Sequence, residues 1–193
     1  MTARWVVDIA DDRDLSINWK PISLLVKNQT KPDSPFFDAV TRSHGLLRVM
    51  ESVRAAEGDA ALQALYFEYG ARIHHDKALE FDPVDALVSA GLDPVHAAAF
   101  TDASFDAVIK ESMDDGLGLI GNDVGTPIIA KLNAAGRRVA YFGPVITRVP
   151  EREQALKLWD CLDGLMDIEG FWELKRTRTE SPDFGDRPEQ VSR

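Results

Sequence analysis

The 193-residue chain contains a single cysteine, Cys161. One thiol excludes an internal disulfide, a Cys-x-x-Cys pair and a four-cysteine zinc site within these residues. Positive charge is also short, with 22 Lys and Arg against 32 Asp and Glu and a formal net charge of −10. Neutralising nucleic-acid phosphates takes cations, so this balance argues against a nucleic-acid partner. No apolar run approaches the roughly 18 residues a membrane helix needs, and no membrane association is expected. The opening residues, Met1-Thr2-Ala3-Arg4-Trp5, show neither the apolar stretch nor the small-residue cleavage site of a secretory signal, so the chain reads as cytoplasmic. Histidine is scarce, limited to His44, His74, His75 and His96. There is no His-Glu-x-x-His pattern, and adjacent His74 and His75 cannot face one ligand from a helix, so no metal site is expected.

What is present is ordinary globular composition, 45% hydrophobic and 28% charged, over a length that suits one domain or one domain with a large insertion. Residues 2–12 read as a short helix. In residues 15–26 Leu15, Ile17 and Trp19 alternate with polar partners, which predicts a strand with Pro21 at a bend or edge. After a polar loop over residues 27–35 the apolar period becomes helical. Leu46, Leu47, Val49, Met50 and Val53 share one helical face, and Leu62, Leu65, Tyr66, Tyr69 and Ile73 share another. Asp82-Pro83 and Asp93-Pro94 each place a capping residue before a first-turn proline. Ser104 is expected to cap a longer helix with Phe105, Val108, Ile109 and Met113 on its apolar face. Residues 126–132 and 137–142, joined by a turn at 133–136, predict a β-hairpin. Pro150 and Glu151 open a last helix bearing Leu158, Trp159, Leu162, Leu165 and Met166. The Pro, Asp, Gly and Arg content from Ser181 onward predicts a disordered tail.

Several motifs resemble chemistry and fail on context. Gly116-Leu117-Gly118-Leu119-Ile120-Gly121 matches G-x-G-x-x-G, but dinucleotide binding needs a strand before the glycines and a helix after them, the reverse of the order here. The glycines are expected instead to end a helix and form the loop toward Thr126. Asp11/Asp12 and Asp114/Asp115 are adjacent pairs that diverge around a helix, unlike two acids on one substrate. Cys161 lies well inside the last helix, away from the helix N-termini that stabilise thiolates, and is expected to be structural. His74 follows Ile73 at a helix C-terminus, where a histidine can complement the helix dipole. Thr126-Pro127 is the more informative feature. A proline there is either a harmless first strand residue or a cis proline that frees the preceding backbone for a substrate.

Deleting the helical middle leaves α-β-β-β-α, a thioredoxin-like unit without its first strand. Several segments together resemble the DsbA-like thioredoxin-fold proteins, in particular the mycothiol-dependent nitroreductase branch. They are Thr2-Ala3-Arg4-Trp5, Ile22-Ser23-Leu24 leading to Asn28, Gly70-Ala71-Arg72-Ile73-His74 and Asp123-Val124-Gly125-Thr126-Pro127. Tyr141-Phe142-Gly143-Pro144-Val145, Leu158-Trp159-Asp160 and the run from Phe171-Trp172 to Glu180 complete the set, which covers nearly the whole chain.

The resemblance implies an α/β fold, thioredoxin-like of the DsbA type. Residues 1–34 and 120–180 would form the thioredoxin-like domain, residues 35–119 an inserted all-helical domain, and residues 181–193 the disordered tail. It implies a thiol-dependent oxidoreductase acting on disulfides, mycothiol mixed disulfides or small nitro compounds. Mycothiol or a similar low-molecular-weight thiol would be the cosubstrate, with no tightly bound cofactor. In that family a first strand and Cys-Pro-Trp-Cys lie just ahead of the segment resembling residues 2–5. The expectation is therefore that this chain is truncated before its catalytic cysteines, holds no catalytic residue of its own and is inactive as given. Thr126 and Pro127 carry over as a cis-proline substrate platform. Asn28 and His74 match groove-lining positions that would contact the thiol or the substrate, and Phe36 would fill an aromatic position on the same wall. Two other readings stay open. One is an enzyme similar to the kappa-type thiol transferases and isomerases, which use a bound thiol instead of a protein dithiol; the other is a non-catalytic binding remnant.

Overall fold

The computed structural model describes residues 1–188. Among them are seven α-helices, three 3-10 helices and one two-stranded antiparallel sheet, a largely helical α/β structure. None of these helices is long and apolar enough to cross a membrane. The chain divides into two compact units, one of Met1–Ile17 with Gly116–Gly185, the other of Asn18–Asp115 joined by the described residues from Asp186 onward.

The second unit is helical. It comprises α2 (Leu24–Lys27), α3 (Phe37–Glu57), α4 (Asp59–His74), α5 (Pro83–Ser89), the 3-10 helices Pro94–Thr101 and Ala103–Phe105, and the first part of α6 (Asp106–Ile120). Its core joins Leu46, Val49, Met50 and Val53 of α3 to Leu62, Leu65 and Tyr69 of α4, closed by Phe81, Leu87 and Leu92. These are largely the faces expected from the 3.6-residue period, because an amphipathic helix is held mainly by burying its apolar stripe. Tyr66 departs from it and stays partly exposed, its ring 5.3 Å from that of Trp19. Gly45 has a packing reason to be glycine. A Cβ there would lie 2.7 Å from the Phe100 ring, so its absence lets α3 approach the Pro94–Thr101 helix.

Asp82 and Asp93 cap as their sequence context suggests, each accepting at 2.9 Å from the backbone N–H two residues on. The third cap is Asp102, not Ser104. Its carboxylate accepts from the Ser104 N–H at 2.9 Å and starts a 3-10 turn that leads into α6. α6 then runs through Gly116 and Gly118 to Ile120, and only Gly121, at φ +93°, ends it. The expectation that these glycines end the helix and form the loop holds for Gly121 and is corrected for Gly116 and Gly118, which lie within it. Two mid-helix glycines cost only about 1 kcal/mol each against alanine, which a 15-residue helix absorbs.

The predicted strand over residues 15–26 is absent. Residues 15–23 carry no ladder, and α2 begins at Leu24. Side chains hold this segment instead: the Trp19 indole N–H donates to Gln63 at 3.2 Å, and Arg54 donates to the Trp19 carbonyl. The Ser23 hydroxyl then caps α2 by accepting from the Val26 N–H at 3.3 Å.

The first unit holds α1 (Thr2–Asp8), the 3-10 turn Asp11–Arg13, the hairpin β1 (Ile128–Leu132) and β2 (Arg138–Phe142), and α7 (Arg152–Leu165). Its buried core is small: Trp5 and Ile9 against Ala155 and Trp159. The Trp5 and Trp159 rings lie 6.0 Å apart, and the Trp5 indole N–H donates to the Ala155 carbonyl at 2.9 Å. The hairpin pairs Ile128 with Phe142 and Leu132 with Arg138. Its turn is built by Asn133, whose side-chain oxygen accepts from the N–H groups of Ala135 and Arg137 at 3.1 and 2.9 Å, and Gly136 supplies the positive φ. Of the residues expected as a tail, 181–188 have no regular structure. There the Asp183 N–H donates to the Thr147 carbonyl at 2.7 Å, and Arg4 donates to the Phe184 carbonyl at 2.8 Å. Residues 189–193 lie outside the described residues.

Candidate functional site

In the first unit, Thr126 and Pro127 stand immediately ahead of β1, at the end of the loop that follows Gly121. The bond between them is cis, as is Gly143–Pro144. The Pro127 carbonyl accepts from the Gly143 N–H at 2.8 Å, which fixes this corner to the end of β2. Thr126 is exposed and Pro127 half-buried.

The other three sequence-derived site residues lie on separate elements of the helical unit. Asn28 closes α2, is exposed, and donates its N–H to the Leu24 carbonyl at 3.1 Å. Gln29 follows at φ +47°, and the Thr30 N–H reaches back to the Leu25 carbonyl at 3.1 Å. Phe36 stands just ahead of α3 and is 68% exposed. His74 is the last residue of α4, and its carbonyl accepts from Lys77 at 2.6 Å. Desolvation by the surrounding protein lowers the His74 pKa, and the positive charge of Lys77 and of His75 lowers it further. Its imidazole is therefore mainly neutral near pH 7.

Sequence reasoning missed a second constellation in the same unit. His44, buried in α3, places Nδ1 2.8 Å from the Ser23 hydroxyl and Nε2 2.9 Å from an Asp106 carboxylate oxygen. Arg48, one turn on, grips the same carboxylate with both ends of its fork at 2.6 and 2.8 Å. That grip, and next the His44 contact, hold the Asp106 carboxyl below the usual carboxylate range. An ionised Asp106 can only accept, so a neutral His44 carries its proton on Nε2. Nδ1 then accepts from the Ser23 O–H, and Ser23 accepts from the Val26 N–H. Each polar side-chain atom of Ser23, His44, Arg48 and Asp106 has a partner. Although the residue types are those of a serine nucleophile, base and acid, Ser23 is only 1% exposed and cannot meet a substrate. The only local signal was His44 and Arg48 at i, i+4 on one helical face.

A similar pairing joins the Ser52 hydroxyl to His96 Nδ1 at 2.8 Å, with Glu57 3.4 Å from His96 Nε2. It ties α3 to the Pro94–Thr101 helix. Among the described residues no group of three or more His, Cys, Asp and Glu side chains could hold a metal ion. Cys161 lies in α7 but is exposed, which corrects the expectation that it is a packed structural residue.

The family model described as Rv2466c-like, mycothiol-dependent nitroreductase Rv2466c, matches residues 1–176. The match takes in α1, the whole helical block, the Thr126–Pro127 corner, the hairpin and α7. This chain belongs to the Rv2466c-like family of mycothiol-dependent nitroreductases.

Proposed function

We propose that this protein works in mycothiol-dependent reduction of small substrates or in thiol-disulfide exchange, on a thioredoxin-like scaffold of the DsbA type. Residues 1–34 and 120–180 would be that scaffold and residues 35–119 an inserted helical domain. The family match across residues 1–176 is the observation that carries the reading. Mycothiol is the low-molecular-weight thiol cosubstrate. A reducing cytoplasm is the compartment that suits it.

Two balanced reactions belong to this chemistry. In exchange, a thiolate attacks one sulfur of a disulfide, a new S–S bond forms, and the displaced sulfur leaves as a thiolate that takes up a proton. In nitro reduction, two thiols give up two electrons and two protons to become a disulfide, and the nitro group becomes nitroso plus water. The single cysteine of these 193 residues cannot cycle as a dithiol, and its place deep in α7 is not that of an activated thiolate. The residues present therefore serve recognition. Exposed Thr126, with half-buried Pro127 behind it, would serve as the substrate platform. Asn28 offers an amide to the hydroxyl-rich body of the thiol, neutral His74 a further polar contact, and the exposed Phe36 ring an apolar face.

Calorimetric titration of the 193-residue chain with mycothiol tests this reading. Saturable binding that Asn28→Ala weakens supports it. No binding, or binding indifferent to Asn28, overturns it. In a parallel assay the chain with mycothiol should reduce neither insulin nor a nitroaromatic above the uncatalysed rate. Turnover would show that Cys161 or a bound thiol does the chemistry, as in the kappa-type enzymes.

A further inference from the structure

We infer that Ser23 and His44 are positioning residues for the thiol site, acting through α2 on Asn28. This rests on the reading of Asn28 as a thiol contact. α2 is a single turn of four residues, far too short to be stable alone, so its place depends on what grips its ends. At the N-terminal end the grip is Ser23, whose hydroxyl caps the turn and whose backbone N–H donates to the Met113 sulfur at 3.3 Å. At the other end sits Asn28, bonded back into the turn through Leu24. A shift at Ser23 is therefore carried to Asn28, about 7 Å along the helix axis.

What fixes Ser23 is His44, and what fixes His44 is the Asp106–Arg48 pair, so one chain of hydrogen bonds links α2, α3 and α6. Its direction matters. Asp106 takes the Arg48 fork and the Nε2 side of the His44 ring, which leaves Nδ1 turned to the Ser23 hydroxyl and holds Ser23 in place. The Ser23 lone pairs then point back to the Val26 N–H. The buried Ser-His-Asp series thus orients a recognition residue without itself touching substrate.

A double-mutant cycle tests this, using the full chain and mycothiol as the probe in calorimetry. Asn28→Ala should weaken mycothiol binding about 5-fold, the range of one lost hydrogen bond. Ser23→Ala should weaken it about 3-fold, and Ser23→Thr, which keeps the hydroxyl, should restore it. The double variant S23A/N28A should bind no more weakly than N28A alone, within about 2-fold. A residue that merely stabilised the fold would move the melting temperature while leaving affinity unchanged, or would add its loss to that of Asn28; either result overturns the inference. Should S23A not fold, H44Q completes the same cycle, since one glutamine amide cannot span Ser23 and Asp106 while the Val26 cap stays in place. If N28A itself leaves binding unchanged, the thiol contact at Asn28 falls and this inference with it. If N28A weakens binding while S23A and H44Q do not, only the positioning role is lost.

Discussion

The two units of this protein are held together by different means. The helical unit buries a continuous apolar core from four helical segments and then crosses it with charged clamps. Arg48 grips Asp106, and Arg72 spans Glu68 and Ser89 at 2.7 and 2.9 Å. Tyr69 lies in that core with its hydroxyl buried, which pushes its pKa up. The hairpin unit's core cluster has four buried side chains, and much of its order comes from backbone and side-chain hydrogen bonds around Trp5, Asn133 and Thr2. The difference teaches that fold stability and site construction are divided. The clamped helical unit holds the short helix that ends at Asn28 through buried polar bonds, whereas in the hairpin unit Thr126 stands on a lightly packed frame.

The largest effect should come from attacking the smaller core. Trp5→Ala removes the central ring of the hairpin unit together with its bond to Ala155, at about 3–5 kcal/mol. Leu65→Ala, fully buried in the helical unit, should cost about 2–5 kcal/mol. Hydrogen exchange separates the two. Trp5→Ala should strip protection from β1, β2 and α7 while α3 and α4 keep theirs, and Leu65→Ala should do the reverse. Equal loss everywhere under either substitution would show one cooperative core.

Next in size is Gly45→Ala, whose methyl group would press into the Phe100 ring. About 1–3 kcal/mol of destabilisation in urea titration is expected from such overpacking. A neutral result would mean that the Pro94–Thr101 helix shifts freely.

A smaller effect depends on pH. Because the folded Asp106 pKa lies below its unfolded value near 3.9, this group's contribution is complete above pH ~4 and fades as pH falls through the folded pKa. The stability gap between the wild type and Asp106→Asn should therefore be widest near neutrality and shrink on acidification below pH ~4. The carboxylate is 42% exposed, so solvent screening keeps the gap modest. A gap that stays constant down to pH 2 would show that charge is not what Asp106 contributes. The smallest effect is Cys161→Ser. An exposed thiol outside both cores should change stability by no more than about 0.5 kcal/mol and leave mycothiol affinity untouched.

How much could be read from sequence follows from how far apart the partners stand. The capping Asp-Pro pairs, the hairpin with its Asn133 turn and the face of α4 all rest on neighbours within a few residues, and each is found where the pattern placed it, Tyr66 on α4 excepted. The strand expected over residues 15–26 rested on alternation too, but that alternation has two sources. Leu15 packs with the Trp5 core, and Trp19 packs beside Tyr66 and Phe67. Two burial destinations a few residues apart imitate the period of a strand. The Ser23–His44–Asp106 chain was illegible for the opposite reason. Its members are 21 and 62 residues apart, and no local spacing encodes a hydrogen bond across three helices. Asn28 and Phe36 entered through resemblance alone, since nothing in their own neighbourhoods marks them as a site, whereas Thr126-Pro127 and His74 drew notice from their place before a strand and at a helix end and took their site roles from the resemblance.

The central proposal is that this chain binds mycothiol, with Asn28, Phe36 and His74 in the helical unit and Thr126 in the hairpin unit as the residues expected to respond. Backbone amide NMR spectra of the 15N-labelled chain, recorded as mycothiol is added, test it most directly. Saturable shifts concentrated at Asn28, at Phe36 and His74, and at Thr126 are the predicted result. Shifts confined to the surroundings of Cys161, or none at all, would contradict it.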